Sequence, residues 1–236
     1  MNSAILGPDA VPGTPEFDLF VKEVRKEMTV KCGQKCTAVR RIFVPEGVMD
    51  AVQEALVGQL AKTTIGDPQT DGVRMGALVG KAQCQDVLDQ VQHIEAEAEC
   101  VFGASKTAEV IGAELERGAF LPPMLMRHDR PHEARAVHDV EAFGPVSTLM
   151  PYTDLEEAVA LAARGKGSLC CSITTFDRQA AATFVREAAP MHGRILVLDR
   201  ECAKESTGHG SPCRCLFTAA LALSLIHISE PTRLSG

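Results

Sequence analysis

The residue best suited to chemistry is a cysteine in the segment G-Q-K-C-T-A, residues 33–38. A thiol becomes a strong nucleophile where a cation or oriented backbone N–H groups favour its thiolate form, and a glycine lets the backbone turn sharply beside it. Four cations stand close to Cys36 in sequence: Lys31, Lys35, Arg40 and Arg41. This pattern predicts a reactive cysteine at position 36. The alternative is an inert thiol packed in the core.

A second candidate site is the segment E-A-F-G-P, residues 141–145, at the entry to a predicted strand. A carboxylate such as Glu141 can accept hydrogen bonds from both hydroxyls of a ribose, and a ring such as Phe143 can pack on a flat heterocycle. These residue types indicate a nucleotide contact. The alternative is a solvated acidic residue before a Gly-Pro turn.

The third candidate site is the polar loop K-E-S-T-G-H-G-S-P, residues 204–212, which follows a predicted strand. Loops at the carboxyl ends of parallel strands commonly carry ligand contacts, so we expect Ser206, Thr207 and His209 to face a substrate. The alternative is a surface loop. His209 could also be the base of a cysteine hydrolase, although no hydrolase signature surrounds Cys36.

Composition narrows the class of protein. The chain has 236 residues, 45% of them hydrophobic and 23% charged, with a net charge of -7. These values are typical of a folded globular protein and disfavour a nucleic-acid or anionic-membrane partner. The sequence has no signal-peptide pattern and no apolar window long enough to span a membrane. We therefore expect a cytoplasmic protein.

The nine cysteines fit that compartment. In a reducing environment most such thiols are small core residues, with one reactive exception. Cys32-x3-Cys36 and Cys213-x-Cys215 lack the spacing of a zinc site, so we expect no metal.

The pattern of elements predicts an α/β fold with a mostly parallel sheet. Residues 1–16 hold three prolines and two glycines and indicate a loop, and a Gly- and Pro-bearing stretch over 103–135 separates the two halves. Apolar periodicity predicts helices over 17–28, 48–60, 87–98, 155–164 and 178–189, and strands over 39–44, 144–152, 168–176 and 194–198. Thr153-x-x-Glu156 resembles a capping box, and Asp177 is a predicted N-cap. Strands alternating with helices at these lengths indicate βαβ units.

The last residues break this pattern. After Pro212 the sequence C-R-C-L-F-T-A-A-L-A-L leads into L-S-L-I-H-I-S-E-P-T-R, residues 223–233, which resembles a translated sequencing adapter. We therefore predict one domain over 1–212 and a tail over 213–236 that arises from a frameshift and adapter read-through.

Taken together and in this order, the first two motifs resemble the aldehyde dehydrogenase superfamily. G-Q-K-C-T-A matches the family's G-Q-x-C-x-A nucleophile motif, and E-A-F-G-P matches its E-x-F-G-P motif at the expected distance. Longer segments resemble the CoA-semialdehyde dehydrogenases of phenylacetate and benzoate degradation, including the dehydrogenase half of the bifunctional phenylacetate ring-opening enzyme. These segments span 25–45, 65–68, 73–79, 136–152, 192–195 and 203–212.

The resemblance implies the following roles. Cys36 attacks the aldehyde carbon, and hydride passes to NADP+ (or NAD+) to leave a thioacyl enzyme, which water hydrolyses to the acid. Glu141 binds the nicotinamide-side ribose, and Phe143 packs near the nicotinamide. The loop with Ser206, Thr207 and His209 lines the aldehyde end of the tunnel.

The resemblance also implies what lies elsewhere in the family's longer proteins. The general-base glutamate, the oxyanion-binding amide and most of the Rossmann-type cofactor domain precede the segment that matches this chain. We therefore expect an inactive catalytic-domain fragment of a protein that is a homo-oligomer at full length. A non-catalytic α/β module with a structural Cys36 is the alternative.

Overall fold

The computed structural model describes residues 1–103, 109–202 and 208–209, together with the backbone of 216–217. Its main sheet has eight strands in the order β10-β9-β8-β1-β2-β7-β6-β4. All inner pairs are parallel, and only the outermost strands, β10 and β4, pair antiparallel. The predicted α/β fold with a mostly parallel sheet is therefore confirmed. The strands are β1 Ser3–Leu6, β2 Arg41–Pro45, β3 Ile65–Gly66, β4 Glu99–Phe102, β5 Val110–Ile111, β6 Met124–Arg127, β7 Val146–Tyr152, β8 Cys171–Thr174, β9 Ile195–Leu198 and β10 Leu216–Phe217, with β3 and β5 forming a separate parallel pair.

Helices cover both faces of this sheet. They are α1 Pro15–Thr29, α2 Met49–Leu60, α3 Lys81–Glu95, α4 Ala136–Asp139, α5 Leu155–Ala163 and α6 Arg178–Ala188. Successive strand side chains point to opposite faces. In β2, Ile42 and Val44 therefore pack with α1 and α2, whereas Phe43 packs with α3, α5 and α6. The result is a three-layer α/β/α arrangement with a core on each side of the sheet. No helix in the described part of the chain is long and apolar enough to cross a membrane.

Two strands of the main sheet lie where the sequence predicted loops. β1 lies within the predicted loop 1–16 and pairs with both β2 and β8, so it is near the centre of the sheet. β6 lies within the predicted separator 103–135 and pairs with β7. Both are four residues long. Such short apolar runs carry too little periodicity to be told from loops.

The predicted helix starts are correct for both α5 and α6, but the predicted N-cap of α5 is shifted by one residue. The Asp177 side chain accepts hydrogen bonds from two backbone N–H groups of the first turn of α6, which confirms it as the N-cap. At α5 the N-cap is Asp154, which accepts from the N–H of Glu157. The Glu157 carboxylate in turn accepts from the N–H of Thr153 at 2.6 Å, so the predicted capping box at 153 and 156 is wrong by one position.

The end of the sheet lies beyond the predicted domain boundary at 212. Leu216 pairs with Leu196, and Phe217 with Ile195, in antiparallel register. The rest of the tail at 213–236, including the adapter-like segment, lies outside the described residues.

Candidate active site

The nucleophile segment lies between the end of α1 and the start of β2. Before it, Lys31, Cys32 and Gly33 have φ angles of 53°, 54° and 66°, a left-handed run that only glycine adopts without strain. A Cβ at Gly33 would lie 2.2 Å from the carbonyl oxygen of Gly144. The backbone of this turn therefore packs directly on the E-x-F-G-P segment, and Cys36 follows as an exposed residue.

Arg40 joins the two predicted motifs. Its guanidinium donates to the carbonyl of Gly33 at 2.7 Å, to that of Gly144 at 2.6 Å and to a carboxylate oxygen of Glu141 at 3.2 Å. The same group lies 5.3 Å from the ring centroid of Phe143, within cation–π range. The side chain is only 4% exposed, and burial lowers the pKa of Arg40, an effect that Glu141 partly offsets. The structure thus brings Glu141 and Phe143 to the nucleophile segment.

The carboxylate of Glu141 remains accessible to solvent. The Glu141 side chain is 41% exposed, and within the described residues Arg40 is the only group that bonds its carboxylate. Phe143 is half-buried, and its carbonyl accepts a hydrogen bond from the amide of Gln83 at 3.1 Å. The remaining carboxylate lone pairs can accept hydroxyl groups, so these residues fit the ribose contact that the sequence predicted.

The cations near Cys36 in sequence serve other groups in space. The Lys35 ammonium lies 2.7 Å from the buried carboxylate of Glu27, so its charge is balanced there. Arg41 donates to the carbonyls of Leu161 and Ala162 at the end of α5, and it is fully buried there. Two of the four predicted cations are therefore bonded to groups other than the thiol. Arg40 also serves mainly to hold the backbone.

Of the predicted substrate-loop residues, Ser206 and Thr207 lie outside the described residues, and His209 is buried at 3% exposure. One ring nitrogen of His209 is 3.1 Å from the carbonyl of Thr37, and the other is 2.7 Å from the hydroxyl of Ser172. Neither nitrogen bonds the Cys36 thiol, which argues against His209 as the base of a cysteine hydrolase.

The site occupies the amino-terminal edge of the sheet. Cys36 precedes β2, Gly144 precedes β7, and Ser172 is near the start of β8. His209 follows β9 in sequence, but its contacts are with Thr37 and Ser172, which lie at the amino ends of β2 and β8.

The other cysteines are unlike Cys36. Among the described residues the remaining cysteines are buried or half-buried: Cys32, Cys84, Cys100, Cys170, Cys171 and Cys202. Burial raises the pKa of Cys32 to about 11 and that of Cys170 to about 12. Four of the seven described cysteines are therefore core residues, as predicted for most of them, and Cys36 is the exposed one. Within those same residues, no group of three or more His, Cys, Asp or Glu side chains could hold a metal ion.

Comparison with known sequences agrees with the motifs. Residues 10–205 match the aldehyde dehydrogenase family. The chain is 48% identical over 211 residues to 3,4-dehydroadipyl-CoA semialdehyde dehydrogenase of Aromatoleum evansii, covering 89% of this chain and 41% of that protein. It is 46% identical over 138 residues to Protein MaoC of Klebsiella aerogenes, covering 58% of this chain and 40% of that protein. The chain thus spans about two fifths of the length of these curated relatives.

Solved structures show the same fold. Betaine aldehyde dehydrogenase of Staphylococcus aureus, in complex with NAD+, aligns with a TM-score of 0.74 at 21% identity, covering 93% of this chain and 40% of that one. An NAD-dependent aldehyde dehydrogenase of Sinorhizobium meliloti aligns with a TM-score of 0.71 at 25% identity, covering 83% and 36%. With the sequence match over residues 10–205, these likenesses confirm the resemblance: the chain belongs to the aldehyde dehydrogenase family.

Proposed function

We propose that this chain carries the nucleophile of an enzyme that oxidises a CoA-linked semialdehyde to the acid with NADP+ or NAD+. The observation that carries the proposal is that Arg40 joins the backbone of Gly33, three residues before the exposed Cys36, to the accessible carboxylate of Glu141. In an aldehyde dehydrogenase, an exposed thiol at this position can act as the nucleophile. The alternative, an inert thiol packed in the core, is inconsistent with the exposure of Cys36.

The proposed chemistry begins at Cys36. Its thiolate attacks the aldehyde carbon, so that a C–S bond forms and the carbonyl electron pair moves to oxygen. The backbone N–H groups of Cys36 and Thr37 have no acceptor among the described residues, so they are available to stabilise this oxyanion. Loss of hydride from the same carbon gives a thioester on Cys36. Water then cleaves the C–S bond, which releases the acid and restores the thiol. We assign the base for that step to none of the described residues.

Glu141 and Phe143 would hold the cofactor. The accessible Glu141 carboxylate accepts the ribose hydroxyls, and Phe143 packs beside the heterocycle, while Arg40 fixes both against the nucleophile segment. A bound nicotinamide supplies the hydride acceptor. Solved relatives bound to NAD+ support a nicotinamide cofactor in general. The preference for NADP+ is supported only by the resemblance to the phenylacetate branch.

The substrate class follows from the relatives. The name of the Aromatoleum evansii protein specifies a CoA semialdehyde, and identity of 48% over most of this chain supports the same class here, in phenylacetate or benzoate degradation. Ser206 and Thr207 remain our candidates for contacts with the aldehyde end. We further propose a cytoplasmic protein, in keeping with its free thiols, and a homo-oligomer at full length.

Thiol labelling tests the proposed nucleophile directly. We expect iodoacetamide at neutral pH to modify Cys36 about tenfold faster than it modifies the same cysteine in the free peptide G-Q-K-C-T-A, because the folded backbone presents N–H groups at the thiol. Peptide mass spectrometry gives the rate at each cysteine separately, and Cys36→Ser identifies the signal. If the folded chain and the peptide react at the same rate, and Cys84 reacts as fast as Cys36, the module with a structural cysteine is the better description.

A further inference from the structure

Three consecutive carbonyl groups of the nucleophile segment are held by two side chains from other parts of the chain. The amide nitrogen of Asn2 donates to the carbonyl of Cys36 at 2.8 Å and to that of Ala38 at 2.9 Å. The intervening carbonyl of Thr37 accepts from a ring nitrogen of His209 at 3.1 Å. We call Asn2 and His209 together the carbonyl clamp.

Both members of the clamp are buried and bonded to residues at the start of β8. Asn2 is 3% exposed, and its amide oxygen accepts from the N–H of Cys170 at 3.1 Å. The second ring nitrogen of His209 lies 2.7 Å from the hydroxyl of Ser172. A carbonyl can only accept, so the nitrogen facing Thr37 carries the proton and the other accepts from Ser172. A neutral ring agrees with this assignment, because burial lowers the pKa of His209.

Fixing these carbonyls also fixes the N–H groups beside the thiol. In a trans peptide unit the N–H points away from the C=O of the preceding residue. The carbonyl of Cys36 is held by Asn2, which orients the N–H of Thr37. The carbonyl of Lys35 accepts from Ala38 at 3.1 Å, which orients the N–H of Cys36. Neither of these two N–H groups has an acceptor among the described residues.

We infer that Asn2 and His209 are positioning residues for the N–H groups of Cys36 and Thr37. Asn2 orients the N–H of Thr37 directly, because it holds the carbonyl of Cys36. His209 acts on the N–H of Cys36 through Ala38: it holds the carbonyl of Thr37, which orients the N–H of Ala38 toward the carbonyl of Lys35. The inference rests on the proposed nucleophilic role of Cys36. Both residues are 3% exposed, so they act through the backbone of the segment. Each residue donates a hydrogen bond from a buried nitrogen to a backbone carbonyl. A substitution that replaces this nitrogen therefore removes the contact.

Two substitutions of nearly equal shape test the clamp in the whole chain. Asn2→Asp keeps the oxygen that accepts from Cys170 but replaces both donors by an acceptor. We expect iodoacetamide to label Cys36 about tenfold more slowly in this variant, because charge-assisted N–H contacts to the thiolate are lost. His209→Leu should slow labelling in the same way. His209→Asn should restore the wild-type rate, because its amide nitrogen can take the place of the donating ring nitrogen.

Buried thiols in the same molecule distinguish positioning from folding. Cys32 and Cys170 label only when the chain opens, so general damage raises their rates, whereas loss of the clamp lowers the rate of Cys36 alone. Leu56→Ala, in the core under α2, is the control for stability without contact to the segment. A wild-type rate at Cys36 in Asn2→Asp, or a lowered rate in Leu56→Ala as well, overturns the inference. If Cys36 of the unmutated chain reacts no faster than the free peptide, the proposed function fails instead.

Discussion

Replacing Arg40 by methionine should destabilise the fold and separate the two motif segments. The guanidinium donates to two buried carbonyls, those of Gly33 and Gly144, and to the carboxylate of Glu141, and it lies over the ring of Phe143. Methionine keeps much of the apolar stem but has no donor. The two carbonyls are then left without a partner in the interior.

The expected change in the free energy of unfolding depends on how exposed each hydrogen-bond partner of Arg40 is. A buried carbonyl left without a donor costs about 1–3 kcal/mol. Glu141 is 41% exposed, so water replaces Arg40 there at little cost. Removing a buried cation also recovers part of its desolvation penalty, which offsets some of the loss. We expect Arg40→Met to lower the free energy of unfolding by about 2–4 kcal/mol, and Arg40→Lys by about half as much, because one ammonium cannot span both carbonyls.

Urea unfolding followed by circular dichroism measures this difference, since the chain has no tryptophan and one tyrosine and so offers little fluorescence signal. Glu141→Gln is the matched control, because it removes the charge pair and keeps an acceptor at an accessible position. We expect a loss below about 1 kcal/mol for Glu141→Gln. A stability for Arg40→Met equal to that of the unmutated chain, or an equal loss in the two variants, would refute the reasoning.

Two further predictions concern backbone strain and pH. Gly33→Ala should cost at least about 2 kcal/mol, because its φ is 66° and the new Cβ would meet the carbonyl of Gly144. Gly13→Ala, with a φ of 92° and open space, should cost about 1 kcal/mol, and equal urea midpoints would contradict this difference. Burial lowers the pKa of both His138 and His192 to about 4. The unfolded chain therefore binds more protons below about pH 6.5, so the free energy of unfolding should fall between about pH 6.5 and 4, by at most about 3 kcal/mol for each histidine. His192→Asn should flatten that slope, and parallel pH profiles for the two proteins would argue against this cause.

The sequence allowed the class of fold and the two motifs to be predicted, because both depend on local patterns. The helices α1, α2, α5 and α6 have clear apolar periodicity, and the strand at 144–152 is long enough to be distinctive. β1 was missed because a strand of four residues, three of them apolar, is too short to show a periodic pattern. Its central place in the sheet follows from pairing with β2 and β8, which is a tertiary property.

The supporting residues of the site were harder to predict than Cys36. The sequence analysis identified Arg40 only as a cation near Cys36. A charged residue at the start of a buried strand needs hydrogen-bond acceptors in the interior, and this could have indicated its structural role. Asn2 gave no signal, because it precedes the nucleophile by 34 residues and lies in a segment predicted as a loop. Its role depends on the adjacency of β1 to β2, which a single sequence does not reveal.

The strand order explains why the site forms at the amino-terminal edge. β8, β1, β2 and β7 are consecutive neighbours and parallel, so the residues that precede them in sequence meet at one edge of the sheet. Those residues include Cys170, Asn2, Cys36 and Gly144, which come from four distant parts of the chain. The backbone groups at that edge are not paired by the sheet, so Asn2 and Arg40 satisfy them instead. The same hydrogen bonds therefore hold the nucleophile segment and complete this edge of the sheet. Substitutions at Asn2 and Arg40 should for this reason change both the free energy of unfolding and the labelling rate of Cys36.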